Sequence, residues 1–136
     1  MAINPENYGD RAVRVEIGFL EGLRSRFPDN DLILKALGDL YTCTGAHQKG
    51  LEIDERLVIL CPDEPAVWYN LGCSYAIMDR KDDAFKALFH AIKLGYADDG
   101  SMRSDKDLES IRRDPRFKKL LKEAASGGES SYQLLS

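Results

Sequence analysis

No apolar stretch of this 136-residue chain approaches the roughly 20 residues of a membrane-spanning helix, so no such span is expected. The opening residues, MAINPENYGDR, have no basic start followed by an apolar core, which argues against a secretory leader. An excess of positive charge is also missing: 19 basic residues face 23 acidic ones, a net charge of −4, where a general nucleic-acid binder would usually be basic. The chain has only two histidines and three cysteines, without CxxC or HExxH spacing, so neither a metal nor another cofactor is implied. No glycine-rich phosphate loop follows a strand, and no strand is predicted. An odd cysteine count without a leader predicts reduced thiols and a cytoplasmic setting. Cys43, Cys61 and Cys73 then read as small apolar residues.

What the chain does have is a repeat. Residues 28 to 62 recur as residues 62 to 96, at an offset of 34. Pro28 returns as Pro62, Asp29 as Asp63, Leu37-Gly38 as Leu71-Gly72 and Tyr41 as Tyr75. Leu51 maps onto Phe85, Val58 onto Ile92 and Leu60 onto Leu94. A self-match at this period is the signature of stacked helical hairpins, none of which can bury its apolar face alone.

Hydrophobic periodicity gives the elements. Val13, Ile17, Leu20 and Leu23 predict a first helix over 9–27, ended by Phe27-Pro28. Asp29, Asn30 and Asp31 offer capping oxygens to a helix over 31–44, striped by Leu34, Leu37 and Tyr41 and broken at Thr44-Gly45. Its partner covers 47–60, with Leu51, Leu57, Val58 and Leu60. The plan repeats over 64–78, with Trp68, Leu71 and Tyr75, and over 81–94, with Ala84, Leu88, Ala91 and Ile92, before Gly95 as a left-handed cap. Beyond it the pattern degrades, because the offset places Asp105-Lys106 where Leu71-Gly72 stand. A short helix at 99–104, a turn or short helix at 107–112 and a last helix at 115–124 are predicted. Asp114 is the last helix's N-cap, Pro115 its first residue, and Phe117, Leu120 and Leu121 face inward.

Trp68, Leu71, Gly72, Tyr75, Ala84 and Ala91 lie at the spacing of the tetratricopeptide motif, and the chain resembles that family. The preceding unit keeps Leu37, Gly38, Tyr41, Gly45 and Pro62, with Leu34 in place of the tryptophan and Gly50 in place of Ala84. The resemblance spans about residues 10–96, and the ending through Asp114-Pro115-Arg116-Phe117 is similar to the close of small bacterial proteins of this kind. It implies an all-α fold, a right-handed superhelix of antiparallel hairpins (a TPR-like α-solenoid). Residues 1–125 would form one domain: a capping helix at 9–27, full repeats at 31–61 and 64–95, and a degenerate capping segment at 98–124, before a flexible tail at 126–136. Glu16 stands where Gly50 and Ala84 are small, which suggests that no helix crosses there and that this first helix keeps one side free.

The function the resemblance implies is protein–protein interaction. The first helix of each hairpin would line a concave groove for a peptide, loop or helix of another protein, as an adaptor, a scaffold or a client-specific chaperone. Carried over position by position, the groove offers Leu32, Lys35, Asp39, Thr42 and Cys43 from the first repeat. The second repeat adds Ala66, Tyr69, Asn70, Cys73, Ala76 and Ile77. Lys35 and Asn70 occupy two positions of the clamp by which some relatives grip a terminal carboxylate, and Arg103 is a third candidate, but Asp39 would repel that group. A second surface is the basic run Arg112, Arg113, Arg116, Lys118, Lys119 and Lys122, opposed only by Asp114 and suited to an acidic protein rather than to nucleic acid. The preceding residues 98–111 carry five acids against two bases, so two solvated faces that partly neutralise each other are the plainer reading. His47 and His90 read as surface residues, so no enzyme is expected; a thiol pair or metal half-site at Cys43 and Cys73 is the catalytic alternative. Exposed Val15 and Phe19 would allow weak self-association of an otherwise monomeric chain.

Overall fold

In the computed structural model the backbone is described for residues 5–97 and 99–126, and side chains for 11–97 and 100–126. The expected tail at 126–136 lies outside them except for Ser126. Every regular element among the described residues is helical, so the fold class is all-α. No described helix is long and apolar enough to cross a membrane. Contacts gather into two compact units divided at Cys61 and Pro62, where the first repeat gives way to the second.

The first unit holds α1 (Pro5–Arg26), α2 (Asp31–Cys43) and α3 (His47–Leu60). α1 begins at Pro5, earlier than its apolar stripe suggests. Proline suits a first helical turn because its fixed φ is helical and its missing N–H has no partner to lose. It ends where Phe27-Pro28 forbids another turn. Asn30 then caps α2, its side-chain oxygen accepting from Ile33 N at 3.1 Å. α2 packs against both α1 and α3. Leu34, Leu37, Leu40 and Tyr41 of α2 are buried, as are Leu51, Ile53 and Leu57 of α3 and Val13 of α1. Ile17, Leu20 and Leu23 are half-buried. At Gly38 α2 and α3 fit tightly: a Cβ there would sit 3.3 Å from Ile53 Cγ2 and 3.6 Å from Asp54 Oδ1.

The second unit comprises α4 (Pro65–Ile77), α5 (Lys81–Lys93), α6 (Asp99–Ser104), a 3-10 helix (Lys106–Ile111) and α7 (Pro115–Ala125). α4 pairs with α5 as α2 pairs with α3. The two hairpin turns match at the offset of 34. Ala46 N donates to Tyr41 O at 2.8 Å, and Arg80 N to Tyr75 O at 2.9 Å. Gly45 has φ +80°, and Asp79, at the same place, has φ +59°. Asparagine and aspartate tolerate this left-handed region better than other non-glycine residues. The Trp68 indole N–H donates to Pro62 O at 2.8 Å, tying the start of the unit to its first helix.

The degenerate ending packs back on the second hairpin. The 3-10 helix packs on α4 and α7 on α5. Residues 34 apart touch: the Ser110 hydroxyl donates to the Ala76 backbone carbonyl at 2.6 Å, and Arg116 Nη1 to Asp82 Oδ1 at 2.8 Å. Met102, Leu108, Ile111, Phe117 and Leu120 join Ala84, Phe85, Leu88 and Ala91 in one core. Full burial of each large member contributes roughly 1.5–3 kcal/mol, so this ending is a structural part of the unit. Asp114 caps α7, accepting from Arg116 N at 3.0 Å.

Candidate functional site

The residues expected to line a groove divide by environment. On α2, Leu32 projects with 71% of its surface exposed, and Asp39 is exposed too. Lys35, Thr42 and Cys43 are half-buried, and Lys35 Nζ pairs with Asp31 one turn back at 3.4 Å. On α4, Ala66 and Asn70 are exposed and Ile77 is half-buried.

Tyr69, Cys73 and Ala76 lie differently: all three are buried, so they do not offer an open face. The segment after α5 closes over them. Tyr69 stacks on Tyr96 with ring centroids 4.2 Å apart and planes 9° apart. Its hydroxyl donates to Asp105 Oδ2 at 2.6 Å. Burial, together with the neighbouring Cys73 and the Asp105 carboxylate, raises this phenol's pKa and keeps it neutral. Ala76 lends its carbonyl to Ser110. Asp105 therefore anchors the ending from the position that Leu71 holds one repeat earlier. Its backbone carbonyl accepts from Arg112 Nη2 at 2.6 Å, and its Oδ1 caps Asp107 N at 3.0 Å. The sequence signal for this anchor is the interruption itself, a lone aspartate just before a helical turn.

The same unit contains a grouping of metal-ligand type. Ligating atoms of Cys73, Asp105 and Asp107 lie within 4.8 Å of one another. Asp105 is already engaged by Tyr69 and by the backbone, and Cys73 Sγ is 3.9 Å from it. Cys43, Cys61 and Cys73 are thiols and form no disulfide.

The basic run is largely absorbed by structure at two of its members. Arg112 is half-buried and committed to Asp105. Arg116 engages Asp114 and Asp82, and its guanidinium carbon stands 4.4 Å from the Phe85 ring centroid. Arg113, Lys118, Lys119 and Lys122 remain exposed. His90 is not a simple surface histidine: it is half-buried, with its ring 4.3 Å from that of Trp68 in an edge arrangement. His47, at the start of α3, is half-buried as well.

Each unit has concavities beside its repeated tyrosine, Tyr41 or Tyr75. In the first unit a cleft of about 410 Å³ is walled by Val13, Ile17, Tyr41 and Ala46, with Arg14 and Lys49. It adjoins a smaller one of about 270 Å³ lined by Glu21, Arg24, Tyr41, Lys49 and Glu52. The Tyr41 hydroxyl donates to Glu21 Oε1 at 2.7 Å, and burial with this bond pushes its pKa up to about 12. In the second unit a hollow of about 310 Å³ includes Tyr75, Asp83 and Lys86, the offset equivalents of Tyr41, Lys49 and Glu52. At these equivalent positions the charges exchange sign, Lys49 against Asp83 and Glu52 against Lys86.

No protein-family model matches the chain. It is 40% identical over 86 residues to a protein of Arabidopsis thaliana whose name describes it as chloroplastic. The match takes in 61% of this chain but 26% of that protein, so the chain spans about a quarter of the relative's length.

Proposed function

We propose that this chain is a tetratricopeptide-type repeat domain whose hairpins continue as a right-handed superhelix, and that it works by binding a segment of another protein. The observation that carries the reading is the offset of 34, which recurs in the turn hydrogen bonds and in the side-chain contacts of the ending. A repeat that reproduces backbone geometry presents the same positions of each first helix for recognition. On this reading the partner meets Leu32, Asp39, Thr42 and Cys43 of α2, and Ala66, Asn70 and Ile77 of α4. Leu32 supplies apolar contact and Asn70 a donor–acceptor amide. Tyr69, Cys73 and Ala76 hold the scaffold instead of touching the ligand. The partner's segment is of mixed polarity, because the exposed positions are apolar, amide and acidic in turn. An adaptor or an assembly factor for one client works through such a surface.

Reduced thiols suit a reducing compartment such as the cytoplasm; the relative's name assigns that protein to the chloroplast. The test is affinity capture from the native host with the wild-type chain and with Leu32→Glu/Asn70→Ala. Loss of one specific protein from the variant supports the reading. Identical catches would move recognition to another face.

A further inference from the structure

We propose that the outer face of α7 is a second contact surface, which takes an acidic segment of another protein. The inner side of this helix is committed to the core through Phe117, Leu120 and Ala124, all buried. Lys118, Lys119 and Lys122 are exposed on its other side, and Arg113 is exposed just ahead of the helix. Among the described residues none of these four cations is in an ion pair. The acids that could have neutralised them are engaged elsewhere: Asp114 and Asp82 both hold Arg116. Glu123, the one acid of α7, is half-buried. The chain as a whole carries a net charge of −4, so this cationic face stands out against its own surroundings.

These charges sit where they cost the helix stability. The N-terminal end of a helix is partly positive and favours acids in the first turn. α7 has no acid there, and Lys118 is its fourth residue. Lys118 and Lys122, four apart, also form a like-charge pair that destabilises a helix. A local rule broken without a gain inside the fold is expected where a surface serves recognition. An external anion offsets both penalties at once. Spacing favours an extended acidic chain: Lys118 and Lys122 are about 6 Å apart along the axis, close to the roughly 6.6 Å between alternate residues of an extended strand. Nucleic acid fits less well, because Phe117, the one aromatic of α7, is buried and offers no ring to a base. A lipid surface would need exposed apolar side chains beside the lysines, and Phe117 and Leu120 are turned inward. This face shares no residue with the positions on α2 and α4, so either surface can fail alone.

The experiment is fluorescence anisotropy of a labelled peptide of about eight residues, glutamate alternating with serine, titrated with the full chain. Salt is set at roughly 0.01 M and 1 M, which shortens the screening length from about 30 Å to about 3 Å. The peptide binds at low salt and at least about tenfold more weakly at high salt. Lys118→Glu lowers the low-salt affinity at least about tenfold, yet raises Tm by about 1–4 °C, because an acid then meets the helix N-terminus and precedes Lys122 by four residues. Lys49→Glu, the same change of charge on α3, leaves binding within about twofold. Absence of peptide binding at low salt overturns the proposal. Equal losses from Lys118→Glu and Lys49→Glu also overturn it, since they would mark a response to net charge alone. A lower Tm in Lys118→Glu would show that the lysine serves the fold and overturns it too. Tighter binding of an oligothymidylate of equal charge, or of phosphatidylserine vesicles, would give the face to nucleic acid or to lipid instead.

Discussion

Replacing Gly72 with alanine separates two effects that usually travel together. In a helix interior the change gains about 1 kcal/mol of helix propensity. In this fold the new methyl would lie 2.6 Å from both Cγ and Cδ2 of Leu88, and 3.3 Å from Ala84 O. Leu88 is 0% exposed and cannot retreat into solvent, so α4 and α5 must part or Leu88 must leave its rotamer. With two Leu88 carbons at 2.6 Å the upper part of the usual overpacking cost applies, about 2–3 kcal/mol, and less the propensity gain the net expectation is a loss of about 1–2 kcal/mol. At this chain length that lowers Tm by about 3–8 °C in far-UV circular dichroism. Gly38→Ala is the internal control. Its methyl would meet the Ile53 Cγ2 tip at 3.3 Å, so propensity and crowding nearly cancel and stability stays within about 0.5 kcal/mol. Adding Leu88→Ala to Gly72→Ala should cost less than the two single losses summed, because the new methyl occupies part of the vacated space. A Gly72→Ala protein as stable as wild type would refute the close α4–α5 approach.

Tyr69→Phe removes the hydroxyl that binds the Asp105 carboxylate at 2.6 Å; about 1.5–3 kcal/mol should be lost, with hydrogen-exchange protection falling first at 105–111. Leu108→Ala, at a fully buried position of the 3-10 helix, should cost about 2–5 kcal/mol and show that the ending belongs to the cooperative unit. Hydrogen bonds from Arg116 hold Asp114 at about 2, below its ordinary 3.8, so its contribution is present above the unfolded value and fades as pH falls toward 2. Asp114→Asn should flatten that acid limb of Tm against pH. Tyr41, raised to about 12, works in the opposite range: the unfolded phenol ionises near 10 and the folded one does not, so stability falls as pH rises from about 10 to about 12. Tyr41→Phe should remove that part of the alkaline loss, and ultraviolet titration of the native protein should leave Tyr41 and Tyr69 silent until the chain unfolds.

The hairpins are legible in the sequence because the repeated residues are those the backbone needs. Gly38 and Gly72 mark close helix approaches, Pro28 and Pro62 end helices, and Asn30 and Asp114 accept the orphan amides. Such roles follow from local chemistry and survive transfer from one repeat to the next. The fate of Tyr69, Cys73 and Ala76 is not legible that way. Their register marks them as groove positions, yet what covers them is decided more than 25 residues later by Tyr96, Asp105 and Ser110. Asp105 breaks the repeat's apolar rule and makes the contact through a hydrogen bond, which no periodicity reports. The partnership of His90 with Trp68 is likewise hidden, because their spacing of 22 residues joins two helices across a turn. The Pro5 start of α1 escapes notice because the first helical turns lie ahead of the apolar stripe that identifies the helix.

α1 and α7 treat their outer faces in opposite ways. A helix packed on one side only avoids leaving an apolar face in water by turning charged residues outward. α7 does this: Phe117, Leu120 and Ala124 turn inward while Lys118, Lys119 and Lys122 meet solvent. α1 does not, since Val15 and Phe19 stay exposed beside bare glycines. Desolvating one exposed phenylalanine and one valine would return roughly 1.5–3 kcal/mol each at full burial, enough to favour a cover and too little to guarantee a tight one. α1 therefore keeps apolar side chains in water on its outer face, where α7 keeps charged ones.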